Sequence, residues 1–228
     1  MSIERRWYGV VVATLLLAVG CADKLELKGD DPDASTAEDA GEPEPVLPLP
    51  RGIPARSGPF KNSATSDDSL LTVADATSDT EWCQFDLDTG RESKDEQQWD
   101  LAFSRFRIRL NGGLSGPAGV QVAALMDQSF AALTRAPDEG YSPEQPDSTG
   151  EEGDADTEPD NPFNAGAEDW YDYNVMTHEL SAKPITYVVL SSEAHYYKLR
   201  IESYYDKSGT PGAMKFEWAA IEGPDGGD

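Results

Sequence analysis

Apolar and polar residues alternate along several stretches of this chain, and a period of two predicts β-strands. Trp82–Leu87 alternates, with Cys83, Phe85 and Leu87 on one face, and ends at the turn residues Asp88, Thr89 and Gly90. Trp99–Leu110 places Ala102, Ser104, Phe106, Ile108 and Leu110 on one face, and Arg105, Arg107 and Arg109 on the other with Leu101 and Phe103. This predicts one continuous strand, broken by the Gly-rich Asn111–Gly116. That break lacks the Gly-Lys-Ser/Thr ending of a phosphate loop and reads as a turn or bulge. Val120–Leu133 is ambiguous: its alanines permit a helix, whereas Val120 and Val122 suit a strand. Ile185–Leu190 and Tyr196–Tyr205 predict a hairpin over Ser192–Ala194. After the turn Asp206–Gly212, Met214, Phe216, Trp218 and Ala220 form one face of a last strand. The pattern predicts a mostly β domain over residues 61–222, with antiparallel strands in one or two packed sheets and a frayed tail at 223–228.

The N-terminal residues read as an address. Arg5 and Arg6 precede the apolar run Val10–Val19, which is shorter than the about 20 residues a spanning helix needs. This is the form of a signal peptide. Leu17-Ala18-Val19-Gly20-Cys21 resembles a bacterial lipobox, which makes Cys21 the candidate lipidation site and residues 1–21 the lipoprotein signal peptide. Two or more acyl chains suffice for stable anchoring. Residues 22–60 read as a disordered tether. Asp23–Glu44 carries nine acids against two Lys, and Pro43–Pro54 is Pro-rich, so the segment has too little apolar surface to offset its ordering entropy.

Charge narrows the function classes. The chain holds 43 Asp and Glu against 18 Lys and Arg, a formal charge of -25, which repels nucleic acid and disfavours a sequence-independent DNA or RNA binder. Residues 136–169 hold twelve acids and no Lys or Arg, and read as an acidic insertion in a solvated loop. Within it Asp154–Asp160 is superficially like a calcium loop, but lacks the Gly and the closing Glu such loops use. The chain has only Cys21 and Cys83, and only His178 and His195, too few and wrongly spaced for a structural zinc site. With Cys21 acylated, Cys83 has no disulfide partner and reads as a small buried hydrophobe. No nucleophile–base pair is evident, so an enzyme is not expected.

Three blocks together resemble the HmuY-like family of bacterial haem-binding lipoproteins. The first runs from Glu81-Trp82 to Leu87 and Gly90, then through Trp99-Asp100-Leu101-Ala102-Phe103, Arg105, Arg109-Leu110-Asn111, Gly113 and Ser115-Gly116. The second is Pro137-Asp138-Glu139-Gly140-Tyr141, like the family's P-x-x-G-Y turn. The third comprises Trp170-Tyr171-x-Tyr173, Leu180-Ser181, Lys198, Tyr204 and the last aromatic strand. The resemblance covers about 81–221 without the insertion. It implies an all-β domain, anchored to the outer membrane at the cell surface, that holds haem and passes it to a transporter. Together with Val120 and Val122, the resemblance favours a strand followed by a loop over Val120–Leu133.

Haem iron takes His or Met side chains as axial ligands. In such members one ligand lies after the P-x-x-G-Y turn and the other just after a W-x-x-[FY] strand start. Here the second place offers Met176 and His178, after Trp170-Tyr171-Asp172-Tyr173, although the strictly matching position falls near Val175. The first place is empty: from Asp127 to Asp169 there is neither His nor Met, and Tyr141 is the one residue there with ligand chemistry. Arg105, Arg107 and Arg109 are candidate contacts for the haem propionates, or for the insertion, or form a solvated face. A His178/His195 pair would need a bend, since a strand of about seven residues separates its ends by roughly 23 Å. Two readings stay open: a haem-binding lipoprotein, or a lipoprotein of the same fold that has lost haem ligation and serves as a surface interaction or structural protein.

Overall fold

A computed structural model describes residues 47–147, 159–164 and 169–224. The signal peptide with Cys21, most of the tether, Asp154–Glu158 of the insertion and the last residues of the tail lie outside the described residues. The strands in chain order are β1 (Arg56–Ser57), β2 (Phe60–Ala64), β3 (Leu70–Asp75), β4 (Cys83–Asp86), β5 (Arg91–Glu92), β6 (Leu101–Ser104) and β7 (Arg107–Leu110). They continue as β8 (Gln121–Leu125), β9 (Tyr171–Asn174), β10 (Glu179–Ala182), β11 (Thr186–Leu190), β12 (Tyr196–Tyr205) and β13 (Pro211–Ile221). The described residues contain no helix, so the fold is all-β as expected.

A seven-stranded sheet has the order β1-β2-β3-β13-β12-β11-β8, and a four-stranded sheet the order β5-β4-β6-β7. The hairpin β9–β10 forms its own two-stranded ladder, packed on the core through Tyr171, Leu180 and Ala182, with Leu180 N donating to Tyr205 Oη at 2.9 Å. Each strand pairing is antiparallel. The sheets pack through aromatic rings. Phe103 of β6 stacks on Phe216 of β13 at 5.1 Å between centroids, and Phe85 of β4 meets Phe216 and Trp218 edge-on. Phe60 of β2 completes the cluster against Phe85 and Phe103. Each buried Phe contributes about 1.5–3 kcal/mol relative to exposure, so this contact dominates the inter-sheet energy. Cys83 is buried, as its alternation predicts, and its thiol donates to the Asp75 carbonyl at 3.2 Å.

Three expectations are corrected. Trp99–Leu110 is not one strand but the hairpin β6–β7, pairing Leu101 with Leu110 and Ser104 with Arg107. Arg105 turns the chain at φ 56, so Phe106 is 41% exposed and not in the core, and Arg105 does not share a strand face with Arg107 and Arg109. Residues 47–60, read as the end of the tether, join the domain: β1 pairs with β2, and Leu49 and Ile53 pack against the core. The buried Asn62 fastens them, donating to the Pro54 and Gly90 carbonyls at 2.9 and 2.8 Å. The ends of the acidic insertion are likewise structural. Phe163 is fully buried, and a bridge between Gln145 and Asp160 closes the loop's stem. A Pro-rich or acidic composition says little about the few apolar residues that anchor such a segment.

Val120–Leu133 resolves as strand β8 followed by a loop, and the final two hairpins fall where alternation places them. Ala220, assigned to the inner face of the last strand, is exposed near its end.

Candidate functional site

A cleft of about 590 Å³ lies between the β6–β7 turn and the start of β9. This lies within the usual range for small-molecule pockets. Arg105, Phe106 and Arg107 form one wall, and Trp170 and Tyr171 another. Trp170 is buried, and its indole N–H donates to the Phe106 carbonyl at 2.9 Å, which fixes the turn against the base of the hairpin. Tyr171 meets Phe106 edge-on at 5.8 Å and Trp170 at 5.0 Å. Burial raises the Tyr171 phenol above its usual range, and the adjacent Asp169 raises it further, so the ring stays neutral.

Cation and aromatic groups share this rim. Arg105 donates to the Thr77 carbonyl at 3.1 Å, and Arg107 to the Asp79 carbonyl and Ser104 Oγ at the same distance. The Arg109 guanidinium lies 4.0 Å from the Trp82 ring centroid, with Arg107 at 5.3 Å from the same ring. Asp79 and Asp169 also line the cleft, so its charge is mixed.

Tyr171 leads from the cleft into the hairpin β9–β10. Asn174 builds its tip: Oδ1 accepts from the backbone of Met176 and Thr177, and its carbonyl accepts from His178 N at 2.8 Å. This local bonding is what Asn favours in turns. His178 closes the turn in the left-handed region at φ 60, sparsely populated by residues other than glycine. Tyr173 Oη and His178 Nδ1 are hydrogen-bonded. With the proton on Nδ1, Nε2 presents its lone pair outward as a metal-ligating nitrogen. Val175 and Met176 are 69% and 84% exposed, an apolar tip facing solvent.

Residues 78–218 match the family model for the HmuY protein. The chain belongs to the HmuY family. Among solved structures, the HmuY-like fold is similar to that of a candidate lipoprotein from Bacteroides fragilis NCTC 9343, at 20% identity and TM-score 0.51, over 70% of this chain and 92% of that one. It is similar also to an apo HmuY analogue from Tannerella forsythia, at 18% identity and TM-score 0.51, over 67% and 95%. A candidate HmuY-like haem-binding protein from Bacteroides vulgatus ATCC 8482 matches at 18% identity and TM-score 0.48, over 70% and 95%. No curated protein matches the chain.

On this HmuY-family fold, two of the three candidate arginines, Arg105 and Arg107, meet at the cleft, while Arg109 stacks on Trp82 outside its lining. Met176 and His178 sit together at the hairpin tip and do not line the cleft. His195 lies elsewhere, its Nδ1 2.5 Å from Asp88 Oδ1 in the turn after β4. Tyr141 is half-buried against Tyr196, and burial raises its phenol above the usual range. Phe106, assigned by alternation to the core, is instead a cleft wall. Its signal was hidden because Ser104–Arg107 contains no Gly, Pro, Asn or Asp to mark a turn.

Proposed function

We propose that this HmuY-family protein is a surface lipoprotein, anchored to the outer membrane through Cys21, that holds haem for uptake or for transfer to a transporter. The observation that supports this reading is a cleft walled by arginine and aromatic side chains, from which Tyr171 leads into the exposed hairpin that carries Met176 and His178. Phe106 and Tyr171, backed by the buried Trp170, offer apolar faces to a macrocycle, and Arg105 and Arg107 offer guanidinium groups to its propionates. His178 Nε2 and the Met176 thioether are the axial-ligand candidates. The four residues of β9 advance about 10 Å from the cleft rim toward the tip. Haem held by both would lie along the hairpin, its iron near the tip and its edge in the cleft.

A second reading has its own support. Asp127–Asp169 contains neither His nor Met, and Met176 and His178 lie outside the cleft lining. On that basis the protein keeps the fold without axial ligation and acts as a surface interaction protein.

Haem titration of the purified protein, followed by absorbance in oxidised and reduced forms, separates the two. The proposal expects a saturable one-to-one Soret shift, lost in a Met176→Ala/His178→Ala double variant. A shift preserved in the double variant rejects these ligands. A featureless, non-saturating response rejects haem binding and favours the second reading.

A further inference from the structure

Away from the cleft, three carboxylates converge where the two sheets meet. Asp86 ends β4, Asp88 lies in the following turn, and Asp100 precedes β6. One oxygen from each lies within 4.8 Å of the others. Asp86 and Asp100 are buried at 4% and 0% exposure, and the Asp88 side chain is 5% exposed. Among the described residues, no Lys or Arg pairs with any of the three, and the exposed His195 imidazole reaches Asp88 alone, leaving Asp86 and Asp100 without a cationic partner. Three buried carboxylates this close repel one another and lose hydration, an arrangement that calls for a cation.

Most of their oxygens have donors. Asp86 Oδ1 accepts from the Asp88 and Thr89 amides, and Oδ2 from the Thr89 hydroxyl. Asp100 Oδ2 accepts from Leu87 N at 2.8 Å, and Oδ1 from Ser192 N at 2.7 Å. Asp88 Oδ1 takes His195 Nδ1 and the Tyr197 hydroxyl, the latter at 2.9 Å. Asp88 Oδ2 is the exception: it is buried and has no hydrogen-bond partner among the described residues. A carboxylate oxygen withdrawn from water and given no donor is costly, and native folds rarely leave one so.

We propose that Asp86, Asp88 and Asp100 form a binding site for a calcium ion, with Asp88 Oδ2 as its innermost ligand. The donor set is all oxygen, which suits a hard cation. Calcium–oxygen distances of 2.3–2.6 Å allow two ligands to lie up to about 5 Å apart, so the observed spread fits around one ion. Glu193 and His195 group with Asp88 on the solvent side. Glu193 adds negative charge at the mouth, and water completes the shell. The ion would join the β4–β5 turn to the Ser191–His195 turn between β11 and β12, tying the four-stranded sheet to the seven-stranded one. This site is distinct from the acidic insertion.

The test uses the purified full chain, stripped with EGTA and titrated with terbium and then calcium. Tyr197, bonded to Asp88, is placed to sensitise terbium emission. The proposal expects saturable one-to-one emission displaced by calcium, a rise in melting temperature with calcium, and at least a tenfold loss of affinity in Asp88→Asn. That variant keeps the insertion intact, so undiminished calcium binding in it overturns the proposal. His195→Ala should retain calcium binding; its loss would assign a nitrogen-ligated transition-metal site instead and overturn the calcium assignment. Should Asp88→Asn fail to fold, amide hydrogen exchange of the unmodified protein decides. Calcium-induced slowing at residues 86–89 and 191–195 supports the site, and slowing confined to 136–169, or none, overturns it.

Discussion

Asp100 accepts backbone N–H groups from both sides of the sandwich, Leu87 after β4 and Ser192 after β11. Burial pushes its carboxyl from 3.8 up to about 7, and the Asp88 charge adds to the rise. Between these values the folded protein holds a proton that the unfolded chain has released, so stability falls as pH rises from about 4 to about 7. Burial also raises Asp86 and Glu144, which act in the same direction. The hydrogen bond to Asp88 raises His195. Its contribution is present below 6.5 and is lost as pH climbs through the higher folded value. In EGTA, the urea midpoint is therefore expected to be higher at pH 5 than at pH 8. A flat or inverted profile would mean that Asp100 remains ionised in the fold. Little of this cluster was legible beforehand. Asp88 reads locally as a turn residue and Asp100 as part of a Trp-Asp motif, and only the tertiary fold brings them to Ser192 and His195.

Elements with strict alternation and marked ends were legible. β4, β12 and β13 each stand close to where the period of two places them, because one face of each packs on the aromatic core, while β11 reads as an apolar run and is buried on both faces. The β6–β7 hairpin was not, because its turn at Arg105 and Phe106 preserves the alternation on both sides and carries no Gly, Pro or Asn. The ends of the insertion escaped for a related reason: their role belongs to single residues. Glu144 is buried, and its two carboxylate oxygens accept from Leu110 N and Ser115 N at 2.8 Å each. Asn161 and Asn164 donate to the Ile108 carbonyl. These side chains act along β7 as a neighbouring strand otherwise would. Glu144→Ala leaves two amides without acceptors and is expected to cost about 2–3 kcal/mol in chemical denaturation. A loss within ~0.5 kcal/mol would show that water replaces the carboxylate there.

For the whole molecule, the limits of the domain matter most. The family match begins at residue 78, yet β1, β2 and β3 precede it and form one flank of the seven-stranded sheet. Ile53 packs under Gly90, where an added Cβ would come within 2.9 Å of its side chain. A chain beginning at residue 61 therefore lacks Leu49, Ile53, β1, Phe60 and the Pro54 acceptor of Asn62. It is expected to be less stable than one beginning at residue 47 by at least about 3 kcal/mol, the scale of one large buried side chain. Equal denaturation midpoints would show that the segment only decorates the sheet. This start was hidden in the sequence because Pro-rich composition outweighed a few apolar anchors. The mostly β character, by contrast, was readable from alternation, and the all-β class from the family resemblance. The candidate site was readable only in part: the arginines and the hairpin residues were named, but not the cleft that gathers Arg105 with Trp170.

The insertion's stem also governs how copies of this protein meet. An uncovered strand flank is a template on which a second chain can polymerise. Along β7 that template is occupied by carboxylate and amide groups from the same chain. Copies crowded together cannot zip along this flank into a growing ribbon, and shortening the stem would open it to fibre formation.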